Sequence, residues 1–341
     1  MKCVKIKDVK QFEVSEIDEP VIDGENVVID VKKTGICGSD IHYWDIGYPN
    51  GLVMGHEFCG TVVSPGSRTD LQVGDYVTAL PISPCGECEA CLSGNPQFCA
   101  HTWEKAVGLS LTNPGALAPK VSVRPDMVMK MPDVMSPEEG AMVEPTAVGL
   151  HAIHLANIKV GDKVLVIGGG IIGLVSAMFA KKEGASLVVV SETNPKRGEK
   201  SVSLGVADEW YDAKDENTVP SLLAKTNGGF DVVIECVGNA PAVNSAITLV
   251  KQGGKIVLVG VSIGAVELNT LNAVMKELSI YGAIAYTKGE FATCIDLISN
   301  KQIDVLKFVD DVVSLEGVQG AYERLTSGTD SAVKILVDPN I

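Results

Sequence analysis

Lys163-Val164-Leu165-Val166-Ile167-Gly168-Gly169-Gly170-Ile171-Ile172-Gly173 is the stretch that decides the fold. Its first five residues read as a short, mostly apolar strand. The last six match G-x-G-x-x-G, and a helical run from Ile171 to Glu183 follows. A glycine turn between strand and helix lets the backbone approach a pyrophosphate, whose charge the helix N-terminus stabilises. Alone the motif is weak, since a plain tight turn has the same composition. Its context strengthens it: Glu192 closes the next apolar run, 19 residues after Gly173. A carboxylate at that offset can accept the adenosine ribose hydroxyls and repel a 2′-phosphate. Gly168, Gly170, Ile172, Gly173 and Glu192 are therefore candidate dinucleotide contacts, with NAD favoured over NADP. Lys196 and Arg197 stand close by; they are either a solvated helix face or partners of a phosphate.

Outward from this stretch the pattern repeats. Strand-like runs at 186–190, 231–235 and 255–259 alternate with helical runs near 197–204 and 242–250. Strands that are apolar on both faces and alternate with helices predict a parallel sheet covered on both sides, a doubly wound Rossmann-type α/β domain. Residues 1–148 look different, with short β runs such as Asn26-Val27-Val28-Ile29-Asp30-Val31 and turns at Pro65-Gly66 and Gly74-Asp75. Beyond about 283 two helices (291–299 and 315–325) and a strand (332–337) are predicted to return to this β-rich domain. The expected division is 1–148 with 283–341, and 149–282.

Size and charge narrow the function classes. The chain has 341 residues, beyond the ~100–200 typical of one domain. Its 43 acidic and 28 basic residues give a formal charge of −15, which repels phosphate backbones and argues against nucleic acid or an anionic membrane as partner. No apolar run approaches the ~20 residues that span a bilayer. The charged opening, MKCVKIKDVKQFEVSEIDEP, lacks the apolar core of a signal peptide. A cytoplasmic address is expected.

Four of the nine cysteines, Cys85, Cys88, Cys91 and Cys99, fall within fifteen residues. Four thiolates at this spacing can wrap one zinc tetrahedrally and close it to water, a structural site in a lobe at about 81–100. Chance clustering and an iron–sulfur centre are the alternatives; the spacing differs from both ferredoxin patterns. A third constellation is dispersed: Cys37-Gly38-Ser39-Asp40-Ile41-His42, Gly55-His56-Glu57 and Glu144-Pro145. Taken singly, each has a bland reading as core thiol, surface histidine or solvated carboxylate.

Together with the cysteine lobe, these motifs resemble the zinc-containing medium-chain alcohol dehydrogenase family, in particular its sorbitol (polyol) dehydrogenase-like branch. Cys37-Gly38-Ser39-Asp40-Ile41-His42-Tyr43-Trp44 is especially similar to that branch. The resemblance implies a GroES-like catalytic domain formed by both chain ends, with the Rossmann domain inserted. It implies a second zinc held by Cys37 and His56 and completed by Glu57, Glu144 and water or substrate in varying combination. It assigns Ser39 and His42 to a proton relay. Val259-Gly260-Val261, at the C-terminal end of a strand, would lie near the nicotinamide. It also implies a homodimer or homotetramer. Where polyol dehydrogenases place an Arg-Tyr pair near substrate, this chain has Ala285-Tyr286; the missing guanidinium fork weighs against sorbitol itself. Tyr43, Trp44 and Tyr286 are expected either as pocket walls or in the core.

The expected function is a two-zinc, NAD-dependent dehydrogenase of a polyol, sugar acid, sugar phosphate or vicinal diol. The rivals are a threonine dehydrogenase-like oxidiser of amino alcohols and a non-catalytic NAD(H)-binding sensor on the same fold.

Overall fold

The computed structural model describes residues 1–262 and 264–341. The chain divides into two compact units, one of residues 1–147, 286–327 and 334–341, the other of 148–285 and 328–333.

The second unit is built on six parallel strands: Lys163–Ile167, Leu187–Glu192, Glu209–Asp212, Phe230–Glu235, Val250–Leu258 and Ser279–Gly282. Counted along the chain, their order across the sheet is 3-2-1-4-5-6. The order reverses beside Lys163–Ile167, so the glycine turn leaves the sheet at its switch point, where open α/β sheets bind ligands. The inner strands Lys163–Ile167, Leu187–Glu192 and Phe230–Glu235 read as apolar runs because both faces are covered. On one face Leu165, Ile167, Val189, Val233 and Ile256 pack with Ala246, Ile247 and Leu249 of the helix Ala240–Leu249.

The first unit carries a seven-stranded sheet in which Val27–Gly35 pairs with Glu57–Ser64, Ile335–Val337 and Lys120–Val123. Ile335–Val337 is the last strand of the chain, and it lies antiparallel to Thr34 and Gly35. A separate hairpin, Lys2–Asp8 with Gln11–Glu16, sets Lys5 opposite Glu13.

The structure departs from the sequence reading in domain boundaries and in several elements. Residues 283–285 and 328–333, predicted with the β-rich domain, lie in the second unit, where Asn194 Nδ2 donates to Asp330 O at 2.8 Å. The β-rich stretch ends in helices, Pro137–Ala141 and Val143–Ala156, and the boundary at 147/148 falls inside the second. Ser136 caps the first of them by accepting from Glu139 N, while Glu139 accepts in return from Ser136 N, a reciprocal capping box. Among the described residues, no helix is long and apolar enough to cross a membrane.

Candidate metal centres and dinucleotide loop

The four sulfurs of Cys85, Cys88, Cys91 and Cys99 lie within 4.8 Å of one another. Backbone N–H groups point at them. Cys88 N donates to Cys85 Sγ (3.4 Å), Gly86 N to Cys91 Sγ (3.3 Å), and Cys85 N and His101 N to Cys99 Sγ (3.3 and 3.4 Å). Such donors favour thiolates. Those on Cys99 draw its thiol down to about 6, whereas burial pushes Cys91 up to about 12. One thiolate is supported here by the protein alone. Four at this separation need a cation, and a soft tetrahedral one fits the donor set.

The dispersed constellation also converges. Ligand atoms of Cys37, His56 and Glu57 lie within 4.8 Å of one another. Cys37 caps the helix Gly38–Ile46, whose third residue, Asp40, accepts from Cys37 N at 3.1 Å. Ser39 Oγ donates to Cys37 Sγ at 3.3 Å, and His42 sits half-buried on the same helix. His56 and Glu57 lead into the strand Glu57–Ser64. His56 Nδ1 lies 3.2 Å from Asp40 Oδ1, at ion-pair distance, though neither atom meets hydrogen-bond geometry with a partner among the described residues. Burial disfavours a charged imidazole, but the Asp40 carboxylate and Cys37 sulfur overcome it and raise His56 well above its usual range. A metal ion binding His56 would have to displace that proton.

Glu57 is wholly buried and paired with Lys334, itself wholly buried, which also donates to Ile36 O at 3.0 Å. Gly35, opposite Glu57 in the sheet, makes room for the pair: a Cβ there would run into Glu57 Oε2 and come within 2.8 Å of Lys334 Nζ. Glu144 stands apart from the three-residue group. Its Oε1 accepts from the Tyr286 hydroxyl at 2.8 Å, and burial raises its carboxyl to about 7. Trp44 is not a pocket wall; it is buried against the rings of Phe12 and Tyr322.

In the second unit the glycine turn has the shape a dinucleotide needs. Gly168 adopts φ 103°, a left-handed conformation that favours glycine. A Cβ on Gly173 would strike Gly168 O, so helix and turn pack backbone to backbone. Gly170 caps the helix Ile171–Lys182 with nothing near its Cβ position, an open cradle at the N-terminus. Ile172 occupies the second position of that helix. Glu192 ends its strand beside the turn: Oε2 accepts from Gly169 N at 2.5 Å, and Oε1 from Thr193 N (2.6 Å) and Asn194 N (2.8 Å). Arg197 is half-buried on the helix Pro195–Ser203. Val259 N and Gly260 N both donate to Glu235 O, and a Cβ on Gly260 would strike Gly238 N. Val261 follows, exposed, and Val237 approaches Gly168, so the turns after three strands gather at one end of the sheet.

Residues 23–133 match the alcohol dehydrogenase GroES-like domain, and residues 172–300 match the zinc-binding dehydrogenase model. Over 351 aligned positions the chain is 32% identical to a sorbitol dehydrogenase of Bacillus subtilis, covering all of this chain and 98% of that one. The chain belongs to the zinc-type medium-chain alcohol dehydrogenases. Two solved structures of 2R,3R-butanediol dehydrogenase from Bacillus subtilis and of a Sinorhizobium meliloti chain bound to NADP extend the match. They are 30% and 29% identical, with TM-scores of 0.87 and 0.89, each alignment covering 99% of both chains. This dehydrogenase accordingly uses zinc and a nicotinamide coenzyme.

For a zinc-type dehydrogenase, two residues of the candidate site, Asp40 and Lys334, have no role in the sequence analysis, and a third, Tyr286, is left open there. Asp40 stood inside the quoted motif, and its spacing from Cys37 could have flagged it as a residue orienting His56. Lys334 gave no such signal. Tyr286 was open between pocket and core; its hydroxyl reaches a predicted zinc carboxylate.

Proposed function

We propose that this dehydrogenase oxidises a secondary alcohol of a polyol or related vicinal diol, sugar acid or sugar phosphate, with NAD as acceptor and two zinc ions per chain. The convergence of Cys37, His56 and Glu57 on one point carries the reading. A closed four-thiolate lobe would hold the first zinc, through Cys85, Cys88, Cys91 and Cys99. Cys37, His56 and Glu57, with Glu144 beside them, would hold the second and leave room for an exchangeable ligand, as catalytic zinc sites do. When bound there, zinc supplies Lewis acidity that makes an alcohol easier to deprotonate.

The remaining work falls to the chain. Oxidation of the alcohol sends a hydride to NAD and a proton elsewhere. Ser39, on the first turn of the helix that Cys37 caps, is the hydroxyl placed to take that proton; His42, half-buried and three residues on, is placed to hand it to water. Gly168, Gly170, Ile172 and Gly173 cradle the pyrophosphate, and Val259, Gly260 and Val261 flank the nicotinamide. Glu192, held by three backbone N–H groups, presents a fixed negative charge at the ribose end, which supports NAD over NADP. Arg197 is the residue that could contact a phosphate there. The named activities of the sorbitol and butanediol relatives support hydroxylated carbon chains as substrates.

A homodimer or homotetramer is part of the same reading. Ser279–Gly282 is an edge strand with Ile280 40% and Tyr281 38% exposed, a template that a second copy would cover. The nine free cysteines suit a cytoplasmic address.

The test is a spectrophotometric screen of polyols, vicinal diols, aldonates, sugar phosphates and threonine with NAD and NADP. NADH formation on a polyol or diol is expected. A preference for threonine would move the reading to amino alcohols. Tight NADH binding with no turnover on any substrate would make the chain a sensor.

A further inference from the structure

Both carboxylates beside Cys37 and His56 are gripped by side chains that arrive late in the chain. We propose that Tyr286 and Lys334 are positioning residues that fix Glu144 and Glu57 so that each offers a metal ion a single oxygen; this rests on the ligand reading given above.

The geometry is asymmetric at each carboxylate. Tyr286 Oη donates to Glu144 Oε1 at 2.8 Å, with 2% of the tyrosine and 7% of the glutamate exposed. The phenol has little freedom, because its ring packs on Phe291 at 5.4 Å between centroids. The residue before it, Ala285, has φ 50°, a left-handed conformation unusual for a residue with a Cβ. Lys334 Nζ engages Glu57 Oε2, while Glu57 Oε1 stays buried without a hydrogen-bond partner among the described residues. A carboxylate with both oxygens free can swing between one-oxygen and two-oxygen ligation; one tied at a single oxygen cannot.

Charge reinforces the assignment. Cys37 as thiolate with Glu57 and Glu144 ionised makes three negative charges around a dication. Lys334 offsets one of them, and the buried Asp40 carboxylate beside His56 adds a further negative charge, so the lysine is the one side-chain cation paired with a ligand carboxylate there among the described residues. Removing one partner of a buried pair leaves an uncompensated charge, which here would sit on a ligand.

Tyr286→Phe deletes one oxygen and keeps the ring on Phe291. Lys334→Met removes the charge, and Lys334→Arg restores it. The readouts are zinc loss to a chelator, the visible absorption of the cobalt-substituted protein, and kcat against KM. Tyr286→Phe is expected to lower kcat or metal retention by about 10–100-fold, the range for partners of metal ligands. KM should be little changed and the cobalt spectrum altered. Lys334→Met should lose metal faster still, and Lys334→Arg should recover most of the retention. If Lys334→Met fails to fold, Tyr286→Phe decides. A Tyr286→Phe protein with wild-type cobalt spectrum and zinc retention would overturn the proposal, whatever its melting temperature, because a merely structural tie would leave both unmoved. A wild-type chain holding zinc only in the cysteine lobe would overturn the ligand reading and this inference with it.

Discussion

Glu192→Gln removes the charge of the dinucleotide loop and keeps most of its architecture. The carboxylate accepts from Gly169 N, Thr193 N and Asn194 N, so its position is set by the backbone before any coenzyme arrives. Glutamine keeps the shape and an oxygen for Thr193 N and Asn194 N, but it removes the charge and turns an NH2 group towards Gly169 N, which loses its acceptor. A 2′-phosphate on a ribose served by Glu192 would bring two negative charges within about 4–5 Å, about 3–4 kcal/mol per charge pair at an effective dielectric near 20. Solvent at the open end of the loop screens that to about 1–2 kcal/mol, a gain of roughly 5–30-fold for NADP in the variant. NAD loses the difference between a charge-assisted and a neutral hydrogen bond, about 1 kcal/mol or roughly fivefold. The NAD/NADP ratio of kcat/KM should therefore fall by roughly 25–150-fold. Glu192→Ala should shift the ratio in the same direction and also weaken both coenzymes, because three backbone donors lose their acceptor, at about 1–3 kcal/mol for each that water does not reach. The assay is kcat/KM with both coenzymes, backed by a fluorescence titration of each reduced form. An unchanged ratio in Glu192→Gln, with both coenzymes still bound, would refute the reasoning. So would a wild type that prefers NADP, and Lys196 or Arg197 would then be the phosphate partner.

Cys88→Ser should cost stability more than chemistry: the closed site contributes folding energy, so thermal melting and assembly should suffer while folded protein retains NAD turnover. Equal melting temperatures for variant and wild type would contradict a structural role. Alkylation at pH 8, read by mass spectrometry, should spare Cys59, whose burial pushes its thiol up to about 12 and keeps it protonated. After chelation Cys99, held at about 6 by backbone donors, should react before Cys91; the reverse order would show that those N–H groups do not set lobe reactivity. Ser39→Ala should depress alcohol oxidation severely and His42→Ala mildly, about 10²–10⁴-fold being typical for an acid–base group. The His42 deficit should be largest at low pH and be relieved by buffer base. An unaltered pH–rate profile for His42→Ala would reduce that residue to a structural one.

What could be read from the sequence is what lies close along it. The strand, glycine turn and helix of 163–182 announce themselves through apolar run and spacing, and Glu192 through its offset. Cys85, Cys88, Cys91 and Cys99 are likewise separated by at most seven intervening residues. Helix Val143–Ala156 escaped because it is buried along most of its length, which erases the amphipathic stripe that marks a helix. The hairpin Lys2–Asp8 with Gln11–Glu16 was hidden by charged residues on its outer face, where Lys5 meets Glu13 at 3.1 Å. Lys334 is 277 residues from Glu57, and a single lysine before an apolar strand predicts a solvated end, not a buried cation. Tyr286 and Glu144 are 142 residues apart, so only the return of the chain beside the helix brings them together. Trp44 shared a motif with Cys37, but at that point of the helix Gly38–Ile46 it faces Phe12 and Tyr322.

The central claim is that two ligand clusters hold two zinc ions with separate duties, and elemental analysis of wild type and Cys37→Ser tests it most directly. Freshly purified wild type should carry two zinc ions per chain, matching its two clusters. Cys37→Ser should keep the lobe's zinc, lose the other, melt close to wild type and show no NAD-dependent oxidation. A Cys37→Ser protein with full zinc and full turnover, or an active wild type with a single zinc, would contradict the account.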